Sequence, residues 1–171
     1  MVKITGLLFL FVSCCMCGLS KSRNLKKRVE LLGELKCMIL YLAGEIRCMH
    51  ETLPEAFQRI SGRLKTPYRE LLRKIAEEME REGKKTIVEI FDREVSELKN
   101  FPFDKEDLEL IKNLGKQLGY LDIQMQLKNL ELCEGLVEVS MKKASAEYLQ
   151  KAKMYRYMGV LAGLFLVIIL V

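Results

Sequence analysis

The stretch NLKKRVELLGELKCMILYLAGEIRCMH, residues 24–50, decides the fold. Its apolar positions Leu32, Leu35, Ile39, Leu42, Ile46 and Met49 recur at alternating spacings of three and four, which lays a single apolar stripe along one helix. A helix of this kind needs partners that bury the stripe, so the question is what the chain supplies on either side.

Toward the C-terminus it supplies more helices of the same kind. Thr52-Leu53-Pro54-Glu55 is a capping-box pattern with an early proline, ahead of Phe57, Ile60 and Leu64 on one face. Thr66-Pro67 predicts a cap and a first-turn proline for a third helix carrying Leu71, Leu72, Ile75 and Met79, with Gly83 where it would stop. Thr86 to Glu89 repeats the capping box before Phe91, Val95 and Leu98, and Asn100-Phe101-Pro102-Phe103 breaks the chain. Asp104 caps a fifth helix through Leu108, Ile111, Leu114 and Leu118. From Asp122 onward Ile123, Leu127, Leu130, Val137, Met141, Ala144 and Tyr148 hold a heptad-like rhythm interrupted at Glu134. No run alternates Val, Ile and Thr as a strand would, so the class is all-α: an antiparallel bundle of about six helices.

The two ends are apolar. Residues 4–19 carry no charge, and neither do residues 157–171. At ~1.5 Å per residue the first run covers roughly 24 Å as a helix, short of a ~30 Å hydrocarbon core by an amount that snorkelling lysines and local thinning absorb. Both are read as transmembrane helices, at 1–20 and 154–171, around a helical domain at 21–153. A signal peptide is the competing account of the first run, with Lys3 as its basic region and Phe11-Val12-Ser13-Cys14 distantly similar to a lipoprotein cleavage site.

Charge placement orients these segments. The net charge of +5 is uneven: Lys3, Lys21, Arg23, Lys26, Lys27, Arg28, Lys142, Lys143, Lys151, Lys153 and Arg156 face one acid, Glu147, in the flanks, while residues 29–141 carry 17 basic and 22 acidic residues, a net of −5. Both dense clusters lie on the inner side of the apolar runs, which predicts a cytosolic middle and outside termini. The basic balance reports membrane flanks and argues against a nucleic-acid partner.

Chemistry has little to work with. His50 is the only histidine, which excludes a multi-histidine metal site within one chain. Cys14 and Cys17 have the spacing of a redox or zinc pair but no matching second pair, and the other cysteines, 15, 37, 48 and 133, read as free thiols. No phosphate-cradling glycine loop occurs, and Glu77, Glu78, Glu80 and Glu82 mix with basic residues as a solvated face does. The expectation is a protein with no catalytic residues, metal, cofactor or small-molecule substrate.

Two glycine pairs stand out. Gly115 and Gly119 lie near the end of an amphipathic helix, where each costs about 1 kcal/mol relative to Ala. One reading makes Gly115 a close-packing position, Gly119 a left-handed cap and Asp122 the cap of the next helix; the other makes Gly115, Gly119, Asp122 and Gln126 a partner-docking corner. Gly159 and Gly163, four apart in the last apolar run, suit close approach of another transmembrane helix.

The residues 42–46 (LAGEI) and 53–57 (LPEAF), then Leu114-Gly115 to Leu118-Gly119 with Asp122 and Gln126, and the basic stretch up to Met158-Gly159 resemble those of the stage III sporulation protein AB family over essentially the full length. Relatives often have Leu where this chain has Met158. The resemblance implies a two-span protein whose cytosolic domain is similar to those of the inner-membrane platform protein of type II secretion and type IV pilus systems. It implies a place in the mother-cell membrane around the forespore, among other stage III sporulation channel proteins and a secretion-type ATPase of the same operon. Two functions follow as expectations: a platform that docks this ATPase, or a structural membrane protein that oligomerises through its spans.

Overall fold

A computed structural model of the chain describes residues 2–48, 52–81, 86–118 and 122–170. Among these, six α-helices and one 3-10 turn account for the secondary structure, and no strand is present. They are α1 (Val2–Cys48), α2 (Leu53–Ser61), α3 (Tyr68–Arg81), α4 (Ile87–Ser96) followed by the turn Glu97–Asn100, α5 (Lys105–Leu118) and α6 (Ile123–Leu170). The first apolar run and the striped helix that starts at Asn24 are one continuous element up to Cys48, because nothing between Leu19 and Asn24 breaks a helix. The helix stop expected at Gly83, the lone His50 and the expected cap at Gly119 lie outside the described residues.

The chain divides into two compact units. A terminal unit comprises residues 1–29 and 142–171, and a central unit residues 30–141.

In the central unit the stripe of α1 is buried as its spacing demands: Leu32, Leu35, Met38, Ile39 and Leu42 are inaccessible or nearly so. The same core takes Phe57 and Ile60 of α2, Tyr68, Leu72 and Ile75 of α3, Phe91 and Val95 of α4, Ile111, Leu114 and Leu118 of α5, and Leu130 and Val137 of α6. Each large apolar side chain withdrawn from water contributes on the order of 1.5–3 kcal/mol, so this core rather than helix propensity holds the short helices in place. α3 packs on both α2 and α4, and α4 packs on α5.

Local signals set where the helices begin. The Thr52 backbone N–H donates to the Glu55 carboxylate at 2.9 Å, and Thr86 and Glu89 exchange both bonds of a capping box. Pro67 differs from expectation: its peptide bond with Thr66 is cis, it stands just before α3, and its carbonyl accepts the Leu71 N–H at 3.0 Å. The break after α4 is pinned by aromatic contacts, with Phe103 6.3 Å from Tyr68 and 6.5 Å from Phe101 between ring centroids. Asp107, fully buried, accepts the Asp104 N–H at 3.0 Å and closes the first turn of α5.

In the terminal unit α1 and α6 meet through glycine. Gly18 is buried against Tyr155 and Gly159, and Gly163 lies against Phe11 and Cys14. Above this contact Arg28, 4% exposed, pairs with Glu147 at 3.3 Å. By length and composition α6 is a helix able to cross a membrane, and it is the one such helix among the described residues.

Candidate functional site

The corner where α5 passes to α6 is built from three helices. A Cβ added at Gly115 would sit 2.5 Å from Cγ and 2.6 Å from Cβ of Phe91, so the missing side chain lets α4 and α5 close on each other. Asp122 precedes α6, and its carboxylate accepts the Met125 N–H at 3.1 Å, satisfying one of the donors that a helix start leaves open. Gln126 is buried one turn later, and its side-chain amide donates to the Leu118 carbonyl at 3.1 Å. That bond caps the end of α5 from the first turn of α6. The structure therefore brings Gly115, Asp122 and Gln126 into one corner, each engaged in packing or capping. Gly159 and Gly163 lie apart from it in the terminal unit, both facing α1 of the same chain.

Ion pairs tie the central unit's surface together. Lys36 of α1 reaches Glu138 at 3.0 Å and Glu134 at 3.3 Å, both on α6, and these hydrogen-bonded carboxylates, Glu138 foremost, hold its ammonium above the ordinary lysine range. Glu134, which interrupts the heptad-like rhythm of the sequence, thus faces a cation rather than the core. Arg93 contacts both Glu78 and Glu94. The Thr52 N–H bonded to Glu55 lowers that carboxyl, and in the terminal unit the hydrogen bond from Lys151 does the same for Glu147. Burial pushes the Cys133 thiol up, the opposite of what a reactive cysteine requires. Among the described residues no three of His, Cys, Asp and Glu gather into a metal-holding group.

One surface escaped the sequence reading. The core side of α6 carries Gln126, Leu130, Cys133 and Val137, while Met125, Leu132, Leu136 and Val139 point outward, 52%, 60%, 54% and 64% exposed. These four recur at spacings of seven, four and three, so they form a second apolar stripe on the same helix. Between α1 and α6 runs a groove of about 630 Å³, lined by Ile39, Leu40 and Leu127 with Arg47, Lys128 and Glu131 at its margins. The available signal was that α6 has more apolar residues than one face accommodates. Single exposed apolar residues are ordinary, whereas these four share one face of the helix.

The comparisons with known proteins converge on one group. The family described as stage III sporulation protein AB (spore_III_AB) matches residues 3–171. The chain is similar to the Stage III sporulation protein AB of Bacillus subtilis (strain 168), at 26% identity over 172 residues that cover 99% of each chain. A solved structure, Stage III sporulation protein AB (SpoIIIAB), has the same fold with a TM-score of 0.66, covering 71% of this chain and 96% of that one at 22% identity.

Proposed function

Because this chain belongs to the stage III sporulation protein AB family, we propose that it is a non-enzymatic platform component of a sporulation-specific, secretion-like channel between mother cell and forespore, and that its central unit docks a secretion-type ATPase. The observation that carries this reading is the outer stripe of α6, Met125, Leu132, Leu136 and Val139, exposed on a unit whose net charge is −5. The rest follows from the charge pattern. Both apolar runs anchor in the mother-cell membrane, the basic flanks lie against its cytosolic surface, and the central helices form an antiparallel bundle facing the cytosol. Within the terminal unit, Gly18 against Tyr155 and Gly159, and Phe11 against Gly163, have the register that two oppositely directed helices require. Similarity of the bundle to the platform proteins of type II secretion and type IV pilus systems belongs to the same proposal.

Site-specific crosslinking in sporulating cells tests it. A photoreactive residue at Leu132 or Val139 is expected to capture the ATPase. Leu136→Asp is expected to abolish capture while leaving the thermal midpoint nearly unchanged, since the side chain is already exposed. Failure of either position to capture the ATPase in membranes that contain both proteins refutes docking on this face. The competing reading, oligomerisation through the spans by way of Gly159 and Gly163, has less support because α1 of the same chain occupies that glycine face.

A further inference from the structure

The outward row of α6 in the central unit follows a stricter rhythm once Asn129 is counted with it. Met125, Asn129, Leu132, Leu136 and Val139 succeed one another at spacings of four, three, four and three. These are the a and d positions of a coiled coil, with Asn129 and Leu136 at a and Met125, Leu132 and Val139 at d. The four apolar members are 52–64% exposed, and Asn129 is half-buried. α6 therefore buries one face in its own unit, through Gln126, Leu130, Cys133 and Val137, and turns a neighbouring face of coiled-coil type outward.

Charge and hydrogen bonding narrow what covers that face. The central unit has a net charge of −5, so two copies attract nowhere unless they meet on a surface free of acids. This face is one. Glu131, Glu134 and Glu138 fall at positions c and f, on the side of α6 away from the seam, and Lys36 of α1 covers two of them. The flanking e and g positions hold Gln126, Cys133 and Ser140, and Lys128 and Gly135. In a parallel pair of α6 helices Lys128 meets Cys133 and Gly135 meets Ser140, with no like-charge contact. Asn129 adds a direction. Opposite its own twin its amide finds both a donor and an acceptor, whereas an antiparallel pair sets it against an apolar d residue. Chains anchored from the same side of one membrane carry α6 in the parallel sense. A face that is apolar, acid-free and self-complementary is what a two-fold pair of identical chains requires.

We propose that the outer face of α6 pairs, parallel and in register, with the same face of a second copy of this chain whenever no ATPase occupies it. The parallel sense rests on the reading of both apolar runs as membrane-embedded, and displacement by the ATPase rests on the docking proposed above. Both partners use one face and exclude each other. Self-pairing keeps the apolar row out of water in chains that have not yet met the ATPase.

Photocrosslinking in membranes that lack the ATPase, with two differently tagged copies of the full chain, tests it. A photoreactive residue at Val139 is expected to join the two tags, and one at Glu131, exposed on the side away from the seam, to leave them separate. Asn129→Lys sets two cations face to face and is expected to lower the yield at Val139 severalfold. Asn129→Val keeps the seam apolar but removes its register signal. The joined product is then expected to persist, with the captured site, read by mass spectrometry, spreading from residues near 139 to residues near 132. Equal yields at Val139 and Glu131 overturn the pairing, and so does an Asn129→Lys chain that joins as well as wild type. Capture of residues near 125 by position 139 makes the pair antiparallel and overturns it too. Adding the ATPase separates the levels. Replacement of the joined product by an ATPase adduct supports exclusive use of the face. A joined product undiminished by the ATPase refutes that exclusivity if an adduct forms beside it, and refutes the docking alone if none forms.

Discussion

A single methyl group at Gly115 has nowhere to go. It would meet Cβ, Cγ and Cδ1 of Phe91 within 2.8 Å, and Phe91 is itself fully buried. Gly115→Ala gains about 1 kcal/mol in helix propensity but overpacks the α4–α5 contact, and overpacking costs about 1–3 kcal/mol. The expected result is a lowered urea midpoint for the full chain, and a raised midpoint would refute the packing role. Tyr68 offers a contrasting case. Its hydroxyl is buried with no hydrogen-bond partner among the described residues, and burial, with the carboxylates of Asp107 and Glu34 adding to the effect, raises its phenol well above the usual range. The folded state therefore keeps a proton that the unfolded chain releases above about pH 10, so the stability tied to this proton is complete below that pH and is lost as pH rises beyond it. Tyr68→Phe should leave the thermal midpoint at neutral pH within a few degrees of wild type, and shift the onset of alkaline unfolding upward. A large loss at neutral pH would mean that the hydroxyl has a partner after all.

At the scale of elements, Lys36 joins the two long helices through Glu134 and Glu138. Lys36→Glu should lower the thermal midpoint, and Lys36→Glu combined with Glu138→Lys should recover part of the loss, with the recovery shrinking as salt is raised. Equal losses in the single and double variants would show that the pair does not couple the helices. Helix positions were legible in the sequence because they rest on local physics: the capping boxes at Thr52 and Thr86, the spacing of Leu32 to Ile46, and the break at Pro102 each act within a few residues. The corner was legible in part. Asp122 was readable as a cap, whereas the Gln126 bond to the Leu118 carbonyl joins two helices and has no signature along the chain. The outer stripe of α6 was hidden for a related reason. A row of apolar residues does not declare which of two faces is the core until the neighbouring helices are in place, and the rhythm that ran through Leu127 and Met141 picked half-buried positions beside the buried Leu130 and Val137.

For the molecule as a whole, the acidic central unit and the basic terminal unit make a statement about sidedness that chemistry can check. Cys37 is exposed in the central unit, so a chain in which the other five cysteines are replaced by Ser or Ala carries one reporter there. A membrane-impermeant maleimide should label it only after the membrane is opened. Labelling in intact cells would put the central unit outside and favour the signal-peptide account of the first run. Glycine contacts in the terminal unit have a different kind of consequence. Gly18, Gly159 and Gly163 spend their close-approach surface on helices of one polypeptide, so α6 finds its neighbour at an effective concentration fixed by the chain itself. Its pairing is then a unimolecular event, as complete in the first few copies that a cell makes as in a crowded membrane, and indifferent to dilution.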